Sequence, residues 1–500
     1  MDADRRVALR SPRGRGLLAA TVLASGMAFL DGTVVNVALP TLARELATNV
    51  AGLQWVVDGY LLTLSAFLLL GGSVSDRVGG RRAFLWGTAA FAVTSGLCGL
   101  SPGMRSLVAA RAVQGLAAAL LVPVSLALLR TGVRDEDRDA AVGAWAGLTG
   151  VTSAAGPLLG GWLVEAFSWR WIFFLNLPVA AAAIATGWRC LPSPAPGGRG
   201  RLDLPGAALA AAGLGALVHA LIEGPAHGFG PRALATGAAG AAALGAFVAW
   251  ERRARHPMLP LGLFRRRQFT AVNATTLALY FALGSAMFVV VLGLQHGLGH
   301  GPVASSLALL PISAVMLVAS PLAGRAAHRV GYRAPLVAGP ALAAAGLALT
   351  AEVGFRGSGL AGVAASVVVF GLGLGITVAP LTAAALGAVE VGEAGVASAV
   401  NNAVARLAGL LGVALVPGAA GLSMEDGGEP FLRSVRGALL ISAAICLVGG
   451  AISWLGLRPP RGAGRKGRDH VLRAPGPLSE ASRKGGGAAL ARLRGMPPLR

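Results

Sequence analysis

Lysine is almost absent from this 500-residue chain: Lys466 and Lys484 are the only two, and both follow an arginine. A phosphate-binding loop needs Gly-Lys followed by Ser or Thr, so ATP-driven work by this chain alone is excluded. Charge is also scarce. Charged residues make up 13% of the chain against 55% hydrophobic, and mean hydropathy is +0.67, which leaves too little polar surface for a water-soluble globule. The three cysteines, Cys98, Cys190 and Cys446, lie in or at the end of apolar stretches without metal-ligand spacing and read as packing residues. No metal triad, nucleophile elbow or pair of catalytic carboxylates occurs in a soluble segment. Neither an enzyme nor a metal centre is expected.

Small and apolar residues are abundant. Glycine reaches 73 residues while aromatics are 6%, a usage that suits helices packed closely in lipid, where small residues let backbones approach. Apolar stretches of about 20 residues, the length that crosses roughly 30 Å of hydrocarbon, fall at 16–38, 53–73, 83–101, 106–129, 140–164 and 171–190. A second set falls at 204–222, 232–250, 269–295, 302–323, 334–351, 359–386, 396–421 and 437–457. The expected fold is thus an all-α membrane protein with fourteen transmembrane helices, and an even number places both termini on one side. The first stretch is too long for a secretory signal and contains Asp31, so it reads as a spanning helix.

The formal net charge of +21 sits mostly in short arginine clusters between apolar stretches rather than along one face, so nucleic acid is not an expected partner. Arginines concentrate in alternate loops, as at Arg77, Arg81, Arg82, Arg130, Arg134, Arg138, Arg252, Arg253 and Arg255, against the fewer Arg44, Arg105, Arg170, Arg232, Arg356, Arg433 and Arg436 in the others. The positive-inside rule puts the clusters and both termini in the cytoplasm. The loop near Glu390 and Glu393 is the exception. A multi-pass protein of a bacterial cytoplasmic membrane is the expectation.

The segment Gly72, Asp76, Arg77, Val78, Gly79, Arg81 recurs with identical spacing as Gly324, His328, Arg329, Val330, Gly331, Arg333. Two parallel repeats with substrate between them is an architecture of secondary transporters. The expected organisation is a cytoplasmic N-terminus (1–15), an N-terminal six-helix bundle (16–190), two inserted central helices (204–250), a C-terminal six-helix bundle (269–457) and a basic cytoplasmic tail (458–500) too poor in apolar residues to fold alone.

The run Gly72-Ser73-Val74-Ser75-Asp76-Arg77-Val78-Gly79-Gly80-Arg81-Arg82 resembles the loop signature of the major facilitator superfamily. In it the glycines permit a tight turn, Asp76 can cap the next helix or pair with an arginine, and Arg82 is expected to compensate for Gly80. Three further segments resemble the fourteen-helix drug:proton antiporter-2 family: Leu30-Asp31-Gly32-Thr33-Val34-Val35-Asn36-Val37-Ala38-Leu39-Pro40, Gln54-Trp55-Val56-Val57-Asp58-Gly59-Tyr60, and Trp169-Arg170-Trp171-Ile172-Phe173-Phe174-Leu175-Asn176-Leu177-Pro178. Gly156-Pro157-Leu158-Leu159-Gly160-Gly161 is similar to the motif of exporters, with Thr152 where an upstream glycine is usual. The C-terminal half matches less, around Asn401, Asn402 and Arg406.

The resemblance implies two six-helix bundles plus two inserted helices, and proton coupling through Asp31, Asp58, Arg111 and Gln114, with Asn36 a weaker candidate. An intramembrane arginine such as Arg111 is costly unless paired or wetted. Burial and a neighbouring arginine pull a carboxyl's proton affinity in opposite directions, so Asp31 and Asp58 fit either proton handling or a packing hydrogen bond. Asp58 reads as the nearer to the outer surface. His219 and Glu223, four apart on one helical face, could form a titratable pair. Gly371-Leu372-Gly373-Leu374-Gly375 lies in an apolar stretch and reads as packing. The expected function is proton-coupled export of drugs, antibiotics or amphipathic metabolites by alternating access. A proton gradient stands in place of any cofactor, and the partners are substrate, protons and lipid around a monomer. Uptake by the same architecture, or a transport-inactive receptor, are the alternatives.

Overall fold

The computed structural model describes residues 6–192, 202–390 and 393–457. The described residues form one compact unit, and the tail expected at 458–500 lies outside them. The helices are α1 (Pro12–Glu45), α2 (Val50–Val78), α3 (Gly80–Gly99), α4 (Met104–Gly132), α5 (Arg138–Ala166), α6 (Trp171–Phe174), α7 (Asn176–Cys190), α8 (Leu204–His227), α9 (Pro231–Glu251), α10 (Arg267–Leu292), α11 (Pro302–Val330), α12 (Arg333–Leu349), α13 (Gly359–Leu386), α14 (Ala394–Ala419) and α15 (Gly428–Gly456). Their starts are marked by the expected chemistry. Ser11 and Asn49 accept from the backbone N–H of Gly14 and Gly52, and proline opens α1, α9 and α11.

Among the described residues twelve helices are long and apolar enough to cross a membrane, not fourteen. The two that fall short of that measure are α3 and α5, 20 and 29 residues long, whose apolar runs are diluted by Gly, Ser and Thr. The stretch expected at 171–190 is a short α6 followed by α7.

Helix pairings in the first half recur in the second. α1 packs on α5 and α7 as α10 packs on α14 and α15, α2 on α4 as α11 on α13, and α3 on α4 and α7 as α12 on α13 and α15. Small residues make these approaches possible: a Cβ on Gly115 of α4 would fall 2.3 Å from the Tyr60 carbonyl oxygen of α2. The Gly371–Gly375 run packs as expected, with Gly371 against Ile312 of α11 and Gly373 against Ala343 of α12.

α8 and α9 form a hairpin. α8 seats Val218 and Ile222 against Ala51 of α2 and Leu410 and Ala414 of α14, so it spans the seam between the halves, whereas only 6% of α9's apolar window is buried in the protein. The base of the hairpin is closed by two carboxyl groups. Asp203 accepts from Gly206 N at 2.9 Å and Trp250 Nε1 at 2.8 Å, and Glu251 accepts from Leu259 N at 2.9 Å. Burial pushes the Asp203 carboxyl up, but hydrogen bonding, from Gly206 N and Trp250 Nε1 above all, outweighs it and holds the group below its ordinary value.

Candidate functional site

The fully buried charged residues of the two halves lie in α1, α2 and α4, and two of them, Asp31 and Arg111, meet where these helices and α7 pack together. Arg111 of α4 pairs with Asp31 of α1 through Nη1 and Oδ2, and the two side chains are essentially enclosed. The guanidinium also donates to the Gln114 Oε1 at 2.8 Å and to the Val56 carbonyl at 3.2 Å. Gln114 Nε2 donates to Asp31 Oδ1 at 3.0 Å, and Asn176 Nδ2 reaches the same oxygen at 3.2 Å and Ser95 Oγ at 2.9 Å. Arg111 lies 4.3 Å from the Tyr60 ring centre, a cation–π contact that strengthens where water is excluded. Residues far apart in the chain thus form one network in which both Asp31 oxygens and most guanidinium donors are satisfied, the condition under which a buried ion pair is tolerable.

Three of the expected residues, Asp31, Arg111 and Gln114, are brought together here. Asn176, Ser95 and Tyr60 complete the network and were not singled out, because one polar residue inside an apolar run carries no local signal of its partner. Asp58 lies toward the start of α2, where neighbouring helices bury it fully, and among the described residues neither of its carboxylate oxygens has a hydrogen-bond partner. Asn36 is half-buried and donates to the Gly32 carbonyl of its own helix at 3.4 Å.

In the loop motif Gly72 lies in α2, and Gly79 takes φ +87°, the left-handed region glycine tolerates, with Gly331 matching it at +84°. Asp76 does not cap α3, whose N-terminus takes no side-chain hydrogen bond, because it is an exposed residue of α2's last turn. Arg77 of the same turn and Arg82 in the first turn of α3 are both exposed. Arg81, rather than Arg82, makes the tie: it donates to the Trp188 carbonyl at 2.6 Å and stacks 5.4 Å over that ring. Its repeat partner Arg333 does the same to Trp454, at 2.8 Å and 4.2 Å.

The motif in α5 presses helices together. A Cβ on Gly156 would fall 2.1 Å from Thr33 Oγ1, one on Gly160 2.5 Å from Val34 Cγ2, and one on Gly161 2.5 Å from Ser306 Oγ of α11. Pro157 lacks the N–H that would bond the Ser153 carbonyl, and Thr33 Oγ1 of α1 lies 3.1 Å from that oxygen. Thr152, standing where a glycine was expected, meets Gly26 of α1, so the small residue is supplied from the other helix.

Hydrogen bonds between the halves cluster at one end of the helices. Gln54 Nε2 donates to the Val413 and Ala414 carbonyls at 2.6 and 3.0 Å, Gln295 Nε2 to Val37 at 3.0 Å, Ser306 Oγ to Pro157 at 2.7 Å, and Val303 N to Glu165 Oε2 at 3.0 Å. Toward the other end α5 is open: a Cβ on Gly143, Gly147 or Gly150 would meet nothing within 4 Å.

Glu223 does not pair with His219. It pairs with His227, one turn further on, at 3.1 Å and accepts from Trp55 Nε1 at 2.9 Å, while His219 lies against the Trp55 ring. Spacing of four in either direction fits a helix, and the Trp55 ring occupies the place beside His219. In the second half Asn401 donates to Thr276 Oγ1 at 2.8 Å and lies 3.2 Å from Asn273 Oδ1, whereas Asn402 is exposed and Arg406 rests 4.9 Å from the Phe29 ring centre. The acidic loop has its counterion on the same side: Arg266 pairs with Glu393 at 2.6 Å and Glu390 at 3.8 Å.

The Major Facilitator Superfamily profile matches residues 21–413. The chain belongs to this superfamily. As a member it is a multi-pass membrane protein of a family that takes small molecules within the membrane. It is 35% identical to the Multidrug resistance protein Stp of Mycobacterium tuberculosis (strain CDC 1551 / Oshkosh), covering 80% of this chain and 74% of the relative. It is 37% identical to the Methylenomycin A resistance protein of Streptomyces coelicolor, covering 79% and 83%, and 35% identical to the Puromycin resistance protein pur8 of Streptomyces alboniger, covering 89% and 91%. The crystal structure of a bacterial homologue of the human lysosomal transporter Spinster, inward-facing and unoccupied, superposes with a TM-score of 0.64 at 15% identity, covering 89% of this chain and 97% of that one. That likeness is one of fold.

Proposed function

We propose that this superfamily member is a proton-coupled exporter of the fourteen-helix drug:proton antiporter-2 type, moving amphipathic small molecules out of the cell by alternating access. The relatives named for resistance to multiple drugs, methylenomycin A and puromycin support export. α3 and α5, long enough at 20 and 29 residues, would supply the thirteenth and fourteenth spans. The arginine-rich loops set both termini in the cytoplasm of a bacterial inner membrane. With that orientation the hydrogen bonds joining the halves lie on the outer side and the open face of α5 looks inward, the arrangement from which cargo would load.

The observation that carries proton coupling is the contrast between two buried carboxyl groups in adjoining helices. Asp31 is held by Arg111, Gln114 and Asn176, while Asp58 has no partner at either oxygen among the described residues. A carboxyl without a fixed partner can take and release a proton as water reaches it, and release of Asp31 from Arg111 in the other state would do the same for the second. No cofactor is needed, a proton gradient supplies the work, and one chain contains both groups.

Everted vesicles carrying the wild type, Asp31→Asn or Asp58→Asn, energised by respiration, test this reading with two dyes of opposite charge, fluorescein and rhodamine 6G. The expectation is protonophore-sensitive uptake of at least one dye by the wild type, lost in Asp31→Asn with the protein still in the membrane. Uptake that survives the protonophore, or that persists undiminished in both variants, sinks the coupling.

A further inference from the structure

Away from helix ends, the spanning helices hold an ion pair, Asp31 with Arg111, and two charged groups outside it, Asp58 and Arg406. Arg406 is the thirteenth of the 26 residues of α14, roughly 18 Å from either end at about 1.5 Å per residue. No carboxylate pairs with it among the described residues. A cation at that depth is costly unless water or an anion meets it, which makes such a residue a candidate for function. It is half-buried, and it faces the opposite half of the protein rather than lipid, with its guanidinium 4.9 Å from the Phe29 ring centre of α1.

Aromatic side chains that can donate hydrogen bonds lie near it or beside Phe29. The Phe29 ring meets Trp145 of α5 edge to face at 6.4 Å, and Trp145 Nε1 is buried without an acceptor among the described residues. Tyr280 of α10 and Tyr60 of α2 lie within electrostatic reach of Arg406. The carboxylate that could otherwise neutralise it from α1, Asp31, is already engaged by Arg111. The open stretch of α5, at Gly143, Gly147 and Gly150, lies on the same helix as Trp145. A planar cation, an indole N–H without an acceptor and ring faces together match a planar anion conjugated to a ring.

We infer that Arg406, Phe29 and Trp145 form a recognition site for acidic, ring-bearing substrates. The guanidinium takes a carboxylate or phenolate, the Trp145 N–H adds a second hydrogen bond, and Phe29 lies against the ring system. The site sits between the two halves, where a ligand touches α1 and α5 on one side and α14 on the other. This inference rests on the exporter reading above and narrows its cargo.

The test is equilibrium binding of fluorescein, an anion, and rhodamine 6G, a cation on the same ring skeleton, to the purified full chain by fluorescence anisotropy. Nanodiscs of phosphatidylcholine alone keep anionic lipid from competing, and adding phosphatidylglycerol reads out whether a lipid phosphate takes the same place. Wild type is expected to prefer fluorescein. Arg406→Gln should weaken fluorescein about tenfold or more, the loss of a charge-assisted bond, while sparing rhodamine 6G; Arg406→Lys should fall between, since it keeps the charge and loses the fork. Trp145→Phe should weaken fluorescein a few-fold by removing one donor. An unchanged thermal midpoint in these variants shows that the fold is intact. Fluorescein binding that is absent, that ignores Arg406→Gln, or that is surpassed by rhodamine 6G overturns the site. Phosphatidylglycerol displacing fluorescein only when Arg406 is present assigns the site to the lipid phosphate and overturns the substrate claim. Transport by the same variants keeps the two readings apart: fluorescein bound but never moved counts against export and leaves the site standing, and rhodamine 6G moved without fluorescein binding does the reverse.

Discussion

The two halves of this protein share a scaffold and differ in chemistry. Their helix pairings correspond, Gly79 and Gly331 turn the chain with nearly the same backbone angles, and Arg81 and Arg333 clamp onto Trp188 and Trp454 in the same way. Yet the fully buried charged residues of the two halves, Asp31, Asp58 and Arg111, all lie in α1, α2 and α4, while the buried polar residues of α10–α15 are Ser, Thr and Asn. In the second half Asn401 joins Asn273 and Thr276, Thr275 meets Ser453, and Ser285 meets Ser442, all neutral contacts. What repeats is what any membrane bundle needs: close backbones and turns. What does not repeat is the expensive part, charge without water, and expense without a structural return marks function.

The largest effect should come from breaking the charged network. Arg111→Ala leaves the Asp31 carboxylate buried without its counterion, which costs about 3–5 kcal/mol. Neutralising both partners with Asp31→Asn and Arg111→Gln should recover much of that stability without restoring coupled transport. Denaturant unfolding in detergent, run as a double-mutant cycle, checks it. A double variant no more stable than Arg111→Ala would mean that the pair is not the unit of stability.

The same operation on the neutral side should do less. Asn401→Ala removes the donor to Thr276 and the neighbour of Asn273 but strands no charge, so about 1–3 kcal/mol is expected. A loss as large as that of Arg111→Ala would erase the contrast between the halves.

Much of this contrast was legible in the sequence, and the limits are physical. Apolar length located the helices because lipid demands it, and the Gly72–Arg81 repeat announced the shared scaffold because turns depend on local residues. Asp31, Arg111 and Gln114 stood out as polar groups in apolar runs. Their completion by Asn176 and Ser95 did not, since a hydrogen bond across 145 residues leaves no spacing to read. Nor could spacing choose between His219 and His227 as the partner of Glu223, both being four residues away. α3 and α5 fall short on hydropathy because they spend positions on Gly, Ser and Thr, and in α5 Gly156, Gly160 and Gly161 are what α1 and α11 press against.

Where the halves meet, a single methyl group should act as a wedge. Gly161→Ala would place a Cβ 2.5 Å from Ser306 Oγ and 2.8 Å from the Pro302 carbonyl oxygen, and relieving that overlap costs about 1–3 kcal/mol in the state with α5 against α11. The equilibrium should move toward the state in which they part. Spin labels at Phe167 and His300 should then report a longer distance in the variant; an unchanged distance distribution would mean that the contact does not distinguish the two states.

The smallest effects should come from the feature the halves share most closely. Arg81→Ala and Arg333→Ala each remove one exposed hydrogen bond to a carbonyl and one cation–π contact, together about 0.5–1 kcal/mol. The two sites belong to different halves and share no partner, so their effects should add. Arg81→Lys and Arg333→Lys should fall short of wild type by a similar amount, because an ammonium lacks the flat face that lies over the tryptophan. Equal losses would identify the clamp as scaffold in both halves. A loss confined to Arg81, seen as slower transport at unchanged thermal stability, would instead extend the functional asymmetry from the buried charges to the loop beneath them.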